Sequence, residues 1–124
     1  MRRLVFLLVL ASCSPVAPVP AGGDPFARDL AARIAGPSQT CVSSNQSLGL
    51  RSVDSRTIAY EVGRTLWVNR LDQACPAISP HNGIIVEAHG SQYCRGDRIR
   101  GFEPGAIIPG PTCTLRDWVP YRRR

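Results

Sequence analysis

The chain has 124 residues, a formal net charge of +6, and eleven each of Pro and Gly. That length admits one small domain, and the Pro and Gly content suits strands and turns rather than long helices. A folded part of about 85 to 100 residues buries only a modest core, so covalent cross-links would reinforce it.

Met1-Arg2-Arg3 is a positively charged start, and Leu4 to Leu10 is an unbroken apolar run too short to span a bilayer. Leu10-Ala11-Ser12-Cys13 then puts small residues just ahead of a cysteine. This is the layout of a bacterial secretory signal over residues 1–12, and its last four residues resemble the lipobox of bacterial lipoproteins. The resemblance implies cleavage before Cys13, with lipid of the diacylglyceryl and palmitate type on its sulfur and amine, and hence a partner in the membrane itself. Ser14, not Asp, follows the cysteine, which by the same analogy implies the outer membrane, with the protein facing the periplasm. The plainer alternative is an ordinary secretory signal cut nearby, with Cys13 incidental. Both readings export the chain into a compartment that permits disulfides. All fifteen basic residues are Arg; losing Arg2 and Arg3 leaves 13 basic against 9 acidic residues, a mature charge of +4.

Residues 13–23 carry the proposed lipid site and a Pro-rich stretch ending in Gly22-Gly23, which read as a spacer that holds the domain off the membrane. A single domain is expected over 24–121, with 122–124 as a basic tail. Asp24 to Pro37 reads as a helix: Asp24 caps, Pro25 takes the first position, and Phe26, Leu30 and Ile34 form an apolar stripe before Gly36-Pro37 ends it. Extended segments follow. Leu48, Leu50 and Val53 mark the first, and Asp54-Ser55-Arg56 a turn. Thr57 to Val62 and Thr65 to Asn69 alternate as two strands joined by Gly63-Arg64. Ile84 to His89 and Arg98 to Phe102 give two more strands, and Ala106 to Ile108 and Thr114 to Val119 short edge strands. The fold expected is mainly β: a small antiparallel sheet or open barrel with one short N-terminal helix.

Several local patterns recur together in order: Cys41, Val53-Asp54 with Thr57-Ile58-Ala59-Tyr60, Trp67 to Leu71, Cys75-Pro76, Gly90 to Ile99, and Cys113-Thr114-Leu115 with Trp118-Val119-Pro120-Tyr121. The set resembles a family of small exported alphaproteobacterial proteins classed as a domain of unknown function, over roughly Cys41 to Tyr121. The resemblance implies export and the domain boundaries; it brings no activity.

Cys41, Cys75, Cys94 and Cys113 stand 34, 19 and 19 positions apart, unlike the close pairs of zinc sites or of thioredoxin-type Cys-x-x-Cys. Two structural disulfides are expected. Three pairings are open, and sequence does not choose among them; Cys75–Cys94 with Cys41–Cys113 is favoured as clamping one strand-containing loop and tying the first strand to the last.

Candidate chemistry is sparse. Glu87 and His89, with His81 and Asp97 near in sequence, offer a metal or acid–base cluster, although a solvated sheet face explains the same residues. Arg95-Gly96-Asp97 spells an adhesion tripeptide and reads better as a turn. Arg98, Arg100 and Phe102 share one strand face and, with Arg95 and Arg122-Arg123-Arg124, offer an anion-binding surface. Trp67, Tyr93, Trp118 and Tyr121 offer an aromatic platform or, more simply, core packing. No nucleophile elbow, zinc-protease helix or phosphate loop is present. The expectation is a lipid-anchored envelope protein acting as a structural or binding module, not an enzyme, without catalytic residues, metal, cofactor or nucleic-acid partner. Two alternatives stand beside it: a binder of anionic envelope ligands such as a glycan, through Arg95, Arg98 and Arg100, and an inhibitor of a secreted hydrolase such as lysozyme. The mature charge of +4 argues against the second, since lysozymes are usually basic.

Overall fold

The computed structural model describes residues 23–44 and 49–124. Residues 1–22, with the secretory signal, Cys13 and nearly all of the spacer, lie outside the described residues, as does Leu48. One short helix, α1 (Pro25–Ala31), is followed by ten strands: β1 (Arg33–Ala35), β2 (Cys41–Ser43), β3 (Arg51–Asp54), β4 (Thr57–Val62), β5 (Thr65–Arg70), β6 (Gly83–Glu87), β7 (Gln92–Cys94), β8 (Arg98–Phe102), β9 (Cys113–Thr114) and β10 (Trp118–Arg123). They form three antiparallel sheets, ordered β1-β10-β5-β4-β3, β2-β7 and β6-β8-β9, and no closed barrel. No helix among the described residues is long and apolar enough to cross a membrane.

The β4–β5 hairpin is the centre of the large sheet. Its two-residue connection needs a positive φ, which Gly63 supplies at 58°. The alternation of β4 then feeds two cores, one on each face. Ile58 and Tyr60 point into the main core, with Val42, Leu71, Ile78, Ile99, Leu115 and Trp118. Ala59, with Leu66 and Val68 of β5, faces a smaller cluster that Phe26 and Leu30 of α1 cover. The main core is shared by all three sheets, which is why none needs to close on itself. Trp118 is fully buried, and its indole N–H donates to the Tyr93 carbonyl at 3.0 Å, fastening the large sheet to the β2–β7 ribbon. Tyr60 meets Tyr93 edge-on across the same seam, with centroids 5.8 Å apart.

The structure corrects several expectations. The helix stops at Ala31 instead of reaching Pro37, because the chain from Arg33 pairs with the far end of the protein: Arg33, Ile34 and Ala35 lie opposite Arg123, Arg122 and Tyr121. Ile34 is therefore not on a helical stripe but on an edge strand, more than half exposed. Its spacing from Phe26 and Leu30 is helical by coincidence, and long-range pairing overrides it. The C-terminal segment is not an edge strand followed by a tail. β10 lies between β1 and β5, with Arg122 and Arg123 inside it. Ala106 to Ile108 form no strand; they belong to an exposed loop. Two short strands, β2 and β7, were not foreseen.

The two disulfides are Cys41–Cys94 and Cys75–Cys113, not the favoured Cys75–Cys94 and Cys41–Cys113. Cys41 and Cys94 are direct cross-strand partners in the β2–β7 ribbon, while buried Cys75 ties the segment after β5 to β9. Cys41 cannot reach Cys113 because β7, not β9, is its neighbour.

Candidate functional site

One buried ion holds the helix to the large sheet. The Arg33 side chain is almost wholly enclosed and bonds Asp29 through two nitrogens, at 3.0 and 3.1 Å. It also reaches Glu61 at 3.4 Å and the carbonyls of Arg64 and Tyr121. The bidentate bond from Arg33 holds the Asp29 carboxyl below its ordinary range, and the same bond pushes the Arg33 guanidinium up. A second buried polar clasp is Asn69 on β5, fully enclosed. Its amide donates to the Arg116 carbonyl at 2.6 Å and its carbonyl accepts from the Arg116 N–H at 2.9 Å. Neither clasp was singled out in the sequence. An Arg inside the expected Asp24 to Pro37 helix and an Asn in a strand carry no local signal of burial, since the contacts that enclose them, to Glu61, Arg64 and Tyr121 for Arg33 and to Arg116 for Asn69, are distant in the chain.

The residues that were singled out are placed as follows. Glu87 and His89 do not assemble into a common site: Glu87 pairs with Arg98 across the β6–β8 register at 2.9 Å, while His89, beyond the end of β6, is exposed and lies 3.4 Å from Asp97. His81 is exposed. No group of three metal-ligating side chains occurs among the described residues. Asp97 is buried and closes the β7–β8 turn by accepting the Cys94 N–H at 2.7 Å, with Gly96 at φ 92° beside it. Arg95-Gly96-Asp97 is thus a turn whose carboxylate faces inward.

The arginine face is real as a face but mostly neutralised. Arg98 and Arg100 alternate outward on β8 while Ile99 between them is fully buried. Arg98 is paired with Glu87, and Arg95 with Asp117 at 3.1 Å. Arg100 differs: its Nε donates to the Thr112 hydroxyl at 2.9 Å, and no carboxylate partner is found for it among the described residues. The four aromatics form no platform. Trp118 is core, Trp67 and Tyr93 pack against the main core, and Tyr121 packs against the smaller one. Tyr121 also borders an open groove of about 350 Å³ with Val68, Arg70 and Val119, rimmed by the Arg116–Asp72 ion pair.

The feature that sequence reading passed over is the loop between β8 and β9. Ile107 is 97% exposed and Ile108 82% exposed, at the tip of a segment exposed from Phe102 to Ile108. Phe102 at its base lies over Gly83 of the neighbouring strand, and Ile85 stands next to Arg100 in the same register. Its sequence signal is two adjacent isoleucines close to Pro and Gly, the same short aliphatic run that an edge strand presents. Comparison with family models, curated proteins and solved structures finds no match.

Proposed function

We propose that this chain is an exported, lipid-anchored envelope protein whose disulfide-pinned β domain works as a non-enzymatic structural or binding module at the periplasmic face of the outer membrane. The supporting observation is an accounting of cysteines. Of five cysteines, the four beyond Cys13 are joined to one another in two bridges. Cys13 is the odd one left over, and it stands where the lipobox-like motif puts its lipid. Two disulfides in so small a domain also suit an oxidising compartment. A binding or structural role is further supported by how the polar residues are used: Asp97 builds a turn, Asn69 a latch, and Glu87, Asp29 and Asp117 pair with arginines.

Metabolic labelling with an alkyne palmitate analogue tests the anchor. The wild type takes the label and fractionates with membranes, and Cys13→Ser does neither; a labelled Cys13→Ser protein, or an unlabelled wild type, overturns the reading. The alternative of an anionic ligand on the arginine face has less to rest on, because Arg95 and Arg98 already hold carboxylates. Of Arg95, Arg98 and Arg100, Arg100 is the one with no carboxylate partner among the described residues.

A further inference from the structure

We propose that the β8–β9 loop is a membrane-contact tip, with Ile107 and Ile108 inserting into the surface of a phospholipid bilayer. The inference rests on the lipid-anchored reading above. The first observation is exposure: two adjacent isoleucines are 97% and 82% in solvent, well beyond Ile34 at 56%, the next most exposed large apolar residue among those described.

The second observation is that the loop is built to hold them there. The Gly110 N–H donates to the Gly101 carbonyl at 2.8 Å, closing the loop at its base, and the Ala106 N–H donates to the Glu103 carbonyl at 3.0 Å, turning the ascending limb. Both base glycines press on the segment before Ile78. A Cβ on Gly101 would collide with the Ala77 carbonyl, and one on Gly110 would lie 2.5 Å from the Ala77 Cβ. Ala77 itself sits at φ 67°, and its carbonyl accepts the Asn82 amide at 2.8 Å. The Cys75–Cys113 bridge fixes both flanks of this contact. The base of the loop is thereby fixed against the segment around Ala77, and Ile107 and Ile108 stand beyond it in solvent.

The third observation concerns reach and shape. Ten residues lie between Cys13 and Asp24, a contour of at most about 40 Å over the steps that join them. A domain of about 100 residues has a radius of gyration of about 13 Å, so a tether of that length lets any part of its surface meet the bilayer. The tip is convex, with almost nothing packed around either isoleucine, and a deformable surface covers such a shape where a protein partner would need a matching pocket. Local formal charge sums to zero, since Glu87 pairs with Arg98 and the same segment carries one further cation, Arg100, and one exposed carboxylate, Glu103. Apolar insertion therefore dominates, with Phe102 and Ile85 at the interface, and contact survives added salt.

The test uses the processed protein extracted from membranes and reconstituted into phosphatidylethanolamine–phosphatidylglycerol vesicles containing brominated acyl chains. Ile108→Trp, or Ile107→Trp should the first misfold, supplies the probe; Trp118 is buried and Trp67 half-buried. Pelleting with vesicles reads the anchor and quenching reads the tip. The proposal predicts that the introduced tryptophan shifts to the blue and loses most of its emission, in low and high salt alike. Pelleting without quenching overturns the tip and leaves the anchor. Quenching by a protein that carries no lipid on Cys13 upholds the tip and overturns the anchor, and neither signal overturns both. A concentration-dependent blue shift in a detergent-free protein that carries no lipid on Cys13, before vesicles are added, puts a second copy of the chain on the tip and also overturns the proposal.

Discussion

Arg33 carries more of the architecture than any other single side chain, because its enclosed guanidinium serves α1, β4 and β10 together. Removing it leaves the Asp29 carboxylate without its bonded cation and Glu61 with only the more distant Arg123, at 4.0 Å, and both carboxylates retain partial contact with water. Arg33→Ala is expected to cost roughly 2 to 4 kcal/mol, below the full penalty of a broken buried pair for that reason; an unchanged urea midpoint would contradict the assignment. Because the Asp29 carboxyl is held below its ordinary value, its contribution is fully present above the unfolded value near 3.8. It is lost as the pH falls from there through the lower folded value. Acid titration of Asp29→Asn beside the wild type should show the stability gap closing below about pH 4. Asn69→Leu is expected to cost about 2 to 4 kcal/mol, since both backbone groups of Arg116 lose their buried partner. Thermal unfolding at matched pH measures it.

Elements in this fold divide by how far away their partners are. The β4–β5 hairpin was legible because its alternation, its glycine turn and its pairing all lie within fourteen residues, Thr57 to Arg70. The start of α1 was legible for the same reason, with Asp24 accepting the Phe26 N–H and Pro25 following the cap. Its end was not, because the residue that stops the helix acts through Arg123, ninety positions away. The central place of β10 and the existence of β2 are likewise set by distant partners. The cysteine pairing failed with them, since it needs the β2–β7 register that spacing does not encode. Each bridge closes a long loop, with separations of 53 and 38 residues, and is expected to contribute about 4 kcal/mol in the chain-entropy picture. The double variants Cys41→Ala/Cys94→Ala and Cys75→Ala/Cys113→Ala should each lower the denaturation midpoint substantially. The second should also release the loop that carries Ile107, which hydrogen exchange over residues 101–113 would reveal.

At the scale of the whole molecule, the candidate site was legible only in part. The outward arginines of β8 were found from alternation, but their pairing with Glu87 and Asp117 depends on registers and turns that only the folded chain fixes. The apolar tip was visible as residues and misjudged as structure, because a strand and an exposed loop share the same short aliphatic run. In the function proposed above, the link between the domain and the membrane is Cys13, the cysteine that the two bridges leave over. The most direct measurement is the intact mass of the membrane-extracted protein, before and after reduction and alkylation, with peptide mapping of the bridges. The account predicts a chain beginning at Cys13 with diacylglyceryl-type lipid, and four thiols that appear only on reduction, mapping as Cys41–Cys94 and Cys75–Cys113. An unlipidated product whose four cysteines alkylate without reduction would contradict both the anchor and the fold.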